Sequence, residues 1–484
     1  MKRIISCFAT LFITLTSIGQ SLNGNWEGTL DAMGKKIPLV FHISAEKDGK
    51  YSATFDSPTQ QAFGLACSDV IVHADSVVIL MAVVNGKYKG ILDAGKKQLT
   101  GQWSQGGQLM PLNMKRTNEV SEKKIVKRPQ DPAPPFPYQS EDIIYYNADR
   151  SIRFGATFTV PLPDPNLDYF RKPVYPTVLL ITGSGMQDRD ESLMNHRPFA
   201  VIADYLSRRG IAVLRIDDRG MGKSTGNFAS ATSADFAKDV EAGINYLKTR
   251  TDVDTTQLGL MGHSEGGMIA PMVASRRPDV KFIILLAGPG VKITELMEQQ
   301  VVDVSVAAGA SENNMQEYRS LYRDILKIIL SEKDTTVAKE KAMIAFNEWE
   351  EEKGKKLVRS TTGVTDEESQ SKYIDKQILP LQGAWFGYFL RFDPETFLVN
   401  VKCPVLALNG EKDVQVSAKP NLAGIRAALT KGGNDHFIIK EMPGLNHLFQ
   451  HCKKCSVSEY GNLEETFSPE AMEIIAIWIN NTSK

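Results

Sequence analysis

The chain has 484 residues, 42% of them hydrophobic and 23% charged, with 56 basic against 57 acidic side chains. That apolar content excludes a disordered chain, and a net charge of -1 leaves no electrostatic case for nucleic acid or an anionic membrane surface. The length predicts about three domains, or one large and one small, each able to bury a core of its own.

In chain order, Lys2 and Arg3 precede a mostly apolar run from Ile4 to Ile18, followed by Gly19 and a polar stretch. A basic start, a short apolar stretch and a small residue near the end predict a signal peptide over 1–20 and export to the periplasm or beyond. The run is short for a membrane span and is interrupted by Ser and Thr, so no transmembrane anchor is expected after cleavage; an uncleaved anchor is the alternative. From 21 to 118, short alternating runs at 37–43, 51–55, 70–72, 77–83 and 109–114 are separated by turn signals such as Asp48-Gly49 and Asn85-Gly86. This spacing predicts a small all-β unit, barrel- or sandwich-like. Its histidines, His42 and His73, are isolated in sequence and read as structural or surface residues. Residues 119–139 read as a linker, with five prolines between Pro129 and Pro137 favouring an extended spacer.

Beyond 140 the texture changes. Apolar runs at 178–181, 212–216, 258–261, 282–286, 405–408 and 437–441 alternate with amphipathic segments such as 235–248, where Phe236, Val240, Ile244 and Leu247 recur at helical spacing. Near-continuous apolar strands are those covered on both faces, so an α/β fold with a parallel sheet is predicted over 140–484. The rhythm breaks between Leu286 and Val405. That interval is rich in Glu, Lys, Met and Leu and is too long for a structureless loop, so it reads as a helical cap at about 291–400.

Gly262-His263-Ser264-Glu265-Gly266 stands between a buried strand and a helix-like segment. This is the strand–turn–helix context of a nucleophile elbow, which lifts a serine hydroxyl clear of the sheet and sets its backbone at a helix N-terminus. A serine nucleophile needs a base and an acid, which follow it in such chains. Three histidines come later: His436 at the start of the last strand, where packing or a cap would consume it, His447 in a loop just beyond that strand, and His451 four residues further on. His447 is the expected base and His451 the fallback, because catalytic groups gather at the carboxyl edge of such sheets. Asp413, after the penultimate strand, is the expected acid, with Glu411 as competitor. Ser184, with Gly185 beside it, follows the strand ending at Ile181 and is expected to supply one oxyanion N–H; Glu265 supplies the other. Cys452 and Cys455 form the only close cysteine pair; a local disulfide is one reading, and zinc with His447 and His451 a weaker one.

Two similar-looking motifs fail on inspection. The third glycine of a dinucleotide loop is missing after Gly183-Ser184-Gly185, since position 188 is Asp. Position 217 is Asp where a phosphate loop would need Gly ahead of Gly222-Lys223-Ser224. Asp218-Arg219-Gly220 reads instead as a turn with structurally paired charges.

The motifs Thr182-Gly-Ser-Gly-Met-Gln-Asp-Arg-Asp190, Asp218-Arg-Gly-Met-Gly-Lys-Ser224, Gly262-His-Ser-Glu-Gly-Gly267, Gly410-Glu-Lys-Asp413 and Gly444-Leu-Asn-His447 resemble those of α/β-hydrolases of the exported bacterial carboxylesterase and serine aminopeptidase-like group. The resemblance covers about 140–484 and implies Ser264, Asp413 and His447 as a triad. Thr182 departs from it, standing where many relatives carry His. The expected activity is hydrolysis of short-chain carboxylic esters through an acyl-enzyme; a small-peptide aminopeptidase and a non-catalytic binding protein are the alternatives. A small-molecule ester is the expected partner, with no metal and no organic cofactor. The sequence leaves the oligomeric state open.

Overall fold

The computed structural model describes residues 22–482 apart from 33–34, 47–48, 59–61, 82–85, 106–107, 118–125, 164–172 and 379–382. The signal segment, the first part of the linker and the turn residues Asp48 and Asn85 lie outside the described residues. The chain divides into two compact units, one up to Ile125 and one from Val126.

In the first unit, antiparallel strands between Gly24 and Thr117 form one sheet. The strands Ala62–Ala66 and Asp69–His73 end its hydrogen-bonded path at opposite sides, yet only Cys67 and Ser68 separate them in the chain. The Cys67 N–H donates to the Ala53 carbonyl and the Ser68 N–H to that of Leu80, so the sheet curls back on itself. Alternate residues therefore point inward, and Trp26, Phe41, Phe55, Tyr88 and Trp103 fill one shared core. His42 is not isolated in space: its ring nitrogens meet Asn25 Oδ1 at 2.8 Å and the buried Asp56 Oδ2 at 2.9 Å.

The second unit is built on eight strands: β1 Tyr138–Tyr146, β2 Arg153–Pro161, β3 Tyr175–Ile181, β4 Ala212–Ile216, β5 Val253–His263, β6 Phe282–Leu286, β7 Val405–Gly410 and β8 Phe437–Met442. They lie in the order β1-β2-β4-β3-β5-β6-β7-β8. The pairings β1–β2 and β2–β4 are antiparallel and all others parallel. Successive side chains of a strand face opposite ways, and here both faces are covered. Val178, Leu180, Met261 and Leu406 pack with helices α1 (Pro198–Ser207) and α12 (Pro469–Thr482). Leu179, Ile181, Leu260 and Val405 pack against α2 (Ser233–Leu247), α3 (Glu265–Ala274) and α11 (Ala418–Lys431). That double covering is why the strands read as unbroken apolar runs. Of these apolar runs β8 is the exception; it lies at one edge of the sheet, with β1 at the other, and alternates between half-buried and exposed positions up to the buried Met442. His436 just before it is exposed beside Asp435 rather than consumed by packing, because an edge strand offers it no second layer.

Between β6 and β7 the chain forms α4 (Ile293–Ala307), α5 (Glu312–Ser331), α6 (Thr335–Lys353), α7 (Lys355–Thr362), α8 (Glu367–Ile378), α9 (Ala384–Leu390) and α10 (Glu395–Leu398). Asp334 caps α6 by accepting the N–H groups of Thr336 and Val337. The apolar residues of this cap join the core on the α2–α3 side of the sheet.

The proline-rich segment, read above as a spacer, is fastened to the second unit from Val126 onward. The Arg128 guanidinium donates to the carbonyls of Leu463 at 2.7 Å and Gly461 at 2.8 Å. Gln130 donates to the Phe467 carbonyl at 2.7 Å and accepts the Thr466 N–H at 2.6 Å. Hydrogen bonds are worth about 1 kcal/mol each and about 2 when charged, so a chain starting at Gln139 should be less stable than one starting at Val126 by about 3 kcal/mol or more. Equal denaturation midpoints for the two would show that the segment is a passive tether after all.

Candidate active site

The elbow after β5 is shaped by what its glycines avoid. A Cβ at Gly262 would run into the Gly266 carbonyl, and one at Gly266 into the carbonyl of Ile181 on the neighbouring strand. With those positions bare, the strand turns into α3 within one residue. Ser264 takes up the turn at φ 52°, ψ -115°, a conformation a side chain rarely adopts, and such outliers gather at functional sites. Its N–H donates to the Leu286 carbonyl at 2.8 Å, and its own carbonyl accepts the Gly267 N–H at 2.9 Å.

Asp413 follows β7 and His447 follows β8, which run parallel and side by side, so both loops open at the same sheet edge. His447 Nδ1 lies 2.8 Å from Asp413 Oδ2. The buried Asp413 carboxylate also accepts the N–H groups of Gln415 and Val416 on Oδ1, at 2.8 and 2.9 Å, and the Asn409 side-chain amide on Oδ2. With two N–H donors holding Oδ1, the other oxygen is aimed at the imidazole.

Ser184, Ser264, Glu265 and His447 line one cavity of about 310 Å³, with Asp413 behind His447. Its remaining wall is largely apolar: Leu296 and Met297 from α4, Trp385, Phe386 and Phe389 from α9, then Val416 and Leu448. The Gly183 N–H is taken by Glu191 Oε1 at 2.7 Å. Ser184 and Glu265 both line the cavity that holds Ser264. Gly185 lines a smaller neighbouring space at φ 96°. The competitors lie elsewhere. His451 is exposed and pairs with Glu465, and Glu411 accepts the Gly444 N–H while pairing with Lys412. Cys452 and Cys455 are joined as a disulfide, and among the described residues no group of three or more His, Cys, Asp or Glu is placed to hold a metal ion.

The supporting side-chain roles of three groups escaped the sequence reading. His263, inside the elbow, meets Glu191 Oε1 at 2.9 Å through Nδ1 and the His447 carbonyl at 3.0 Å through Nε2. It ties the elbow to the His447 loop. Burial would depress its imidazole, but the Glu191 carboxylate, the His447 carbonyl and Asp413 together outweigh burial and the net direction is upward. The Glu265 carboxyl, raised by burial, accepts Ser233 Oγ at 2.6 Å and Trp385 Nε1 at 2.8 Å, and so joins α2 to the cap. Asp218, after β4, is pushed up to about 7 by burial, with Glu265 and Glu191 adding to the effect. It does not pair with its neighbour Arg219, which instead binds Asp239. No local signal marks the Glu191–His263 pair, because its members are 72 positions apart.

The strand order, with its second strand antiparallel and a serine elbow after the fifth, decides the fold class. The second unit has an α/β-hydrolase fold. The family model described as serine aminopeptidase, S33, matches residues 195–351 of the chain, under half of its length, a span that includes Ser264 and ends before Asp413 and His447. The esterase EstD of Thermotoga maritima is 32% identical over 127 residues, which are 26% of this chain and 30% of the relative. The match thus spans under a third of that curated relative's length. Among solved structures, a Pyrococcus furiosus esterase aligns at TM-score 0.41 and 13% identity over 74% of this chain and 98% of its own. Est1E of Butyrivibrio proteoclasticus, solved with ferulic acid bound, aligns at TM-score 0.37 and 15% identity over 70% and 97%.

Proposed function

We propose that the hydrolase unit cleaves carboxylic esters through an acyl-enzyme on Ser264. The observation that carries this reading is the His447 imidazole, tied by Nδ1 to Asp413, at the wall of the same aromatic-lined cavity as the Ser264 elbow. Ser264 Oγ attacks the ester carbonyl while His447 Nε2 takes its proton, and Asp413 holds the tautomer that leaves Nε2 free to do so. The N–H groups of Ser184 and Glu265 receive the oxyanion. His447 then returns the proton to the departing alcohol, and water releases the acid by the same steps in reverse. The leading residues 1–20 support placing this activity outside the cytoplasm.

The cavity wall supports a neutral, short-chain acyl group. Among the described residues no Lys or Arg lines it, so an acyl chain ending in a carboxylate would find no lysine or arginine counter-charge. The family description keeps an aminopeptidase in view, and such an enzyme needs a carboxylate to receive the substrate's ammonium. Of the two carboxylates on the wall, Glu191 and Glu265, Oε1 of each is already doubly engaged: one by Gly183 and His263, the other by Ser233 and Trp385. That engagement favours the esterase reading.

The test is a matched pair of unactivated substrates, an alkyl butyrate and the corresponding amide, beside butyryl and aminoacyl chromogenic substrates. Ester turnover should exceed amide turnover in both comparisons. Amide cleavage equal to or faster than ester cleavage in the matched pair would make the aminopeptidase the correct reading.

A further inference from the structure

The turn of residues 182–187 after β3 carries Ser184, and from within it the Gln187 side-chain amide donates to the Ser184 carbonyl at 3.2 Å. Gly183 and Gly185 lie within it, and Gly185 sits at φ 96°. A loop with such freedom loses orientation unless something outside fixes it, and an oxyanion donor misplaced by about 1 Å stabilises little. The fixing group is one side chain from the adjacent strand end. Asp218 Oδ1 accepts the Thr182 hydroxyl at 2.8 Å, and Oδ2 accepts the Gln187 N–H at 2.8 Å. The Asp218 N–H returns a bond to the Gln187 carbonyl at 3.1 Å. One carboxylate thus clasps both stems of the turn. The Gly183 N–H, held by Glu191, adds a third tether on the side facing His263.

We propose that Asp218 is a positioning residue that holds the 182–187 turn so that the Ser184 N–H stays aimed at the developing oxyanion. The inference rests on the acyl-enzyme reading above. It also accounts for Thr182, the departure from the related sequences: a hydroxyl is what Asp218 can grip at that stem. A hydroxyl can reverse its role, so an amide at 218 keeps both ties. Its oxygen accepts the Gln187 N–H and its NH₂ donates to Thr182 Oγ1. The clasp therefore depends on two polar atoms at 218, not on charge. That separates it from the electrostatic role that Arg219 and Asp239 on one side, and Glu191 and Glu265 on the other, could otherwise give this carboxylate.

The experiment compares Asp218→Ala with Asp218→Asn in the full chain, after confirming that the wild type is labelled on Ser264 by a fluorophosphonate. Outright loss of an oxyanion donor costs about 10²–10³ in kcat, and a donor left loose should cost at least about tenfold. Asp218→Ala is expected to lower kcat by that factor with KM within about twofold, since the apolar acyl wall is untouched. Its affinity for a trifluoromethyl ketone, which places an oxyanion on the enzyme, should fall by the same factor. Asp218→Asn should keep most of both. Should the alanine variant not fold, Thr182→Val cuts one of the two ties and must show a smaller drop in the same two quantities. The inference is overturned if the loss appears in KM, if ketone affinity is unchanged, or if asparagine is as damaging as alanine. Failure of the wild type to label on Ser264 would instead bring down the esterase reading, and this inference with it.

Discussion

Ser264→Ala is expected to abolish covalent labelling by a fluorophosphonate and to lower kcat on a nitrophenyl ester by about 10⁶-fold, the cost of removing a serine nucleophile outright. The protein should stay folded. The conformation at 264 is imposed by the backbone bonds to Leu286 and Gly267 and by the bare glycines around it, none of which involves the hydroxyl. Alanine meets the same constraint at φ 52° as serine does, so the unfolding midpoint should move little. Binding of a neutral ester should also survive, because the wall formed by α4 and α9 is unchanged. A variant that is still labelled, at Ser184 or any other serine, would remove Ser264 as the nucleophile.

The second large effect separates the base from the acid. His447→Ala removes the group that moves the proton and should cost about as much as loss of the serine, roughly 10⁶-fold in kcat. Asp413→Asn should cost about 10⁴-fold, and the reason lies in the donors around it. Oδ1 is held by the N–H groups of Gln415 and Val416, so the amide oxygen of an asparagine must turn to that side. Its NH₂ then faces His447 Nδ1 and the Asn409 amide, where the carboxylate had accepted from both. To accept from that NH₂, the imidazole must carry its proton on Nε2 instead, which is the wrong tautomer for a base. Circular dichroism and kcat measured on the same samples check this. An asparagine variant with near wild-type kcat would mean that Asp413 does not set the tautomer, and Glu411 would have to be reconsidered.

The elements that proved easiest to read were those whose pattern is local. β6 and β7 are short apolar runs covered on both faces; β6 has the bounds its apolar run predicts, and β7 continues two residues beyond its run, to Gly410. The elbow was legible because the steric demand for glycine, the serine and the following helix fall within six residues. The cap was visible as an interval too long to be a loop, and the seven helices among its described residues follow its Glu-, Lys- and Leu-rich composition. β1 and β2 went unnoticed as strands. β1 alternates between exposed and half-buried positions at the sheet edge, and β2 hides Thr157 and Thr159 among its apolar residues, with Thr157 bonded to Asp142 and Thr159 to Ser207. Such polar residues blur a strand pattern until their partners are known.

By itself the sequence determined the order of events along the chain: a β-rich unit, a proline-rich joint, then strands and helices in alternation, with a serine, an acid and a histidine each stationed just after a strand. Parallel strands bring their carboxyl ends to one edge whatever the details, so that order already implied one site for Ser264, Asp413 and His447. Only the tertiary structure decided what holds the site in place. The Glu191–His263 contact, the Trp385–Glu265 link from cap to elbow, and the grip of Asp218 on Thr182 and Gln187 join residues from 31 to 120 positions apart. None has a periodicity or a neighbouring partner to reveal it. A lone buried carboxylate in a sequence carries no mark of which donors the fold will bring to it, because burial and hydrogen bonding at such a group are properties of packing between elements and not of the element it sits on.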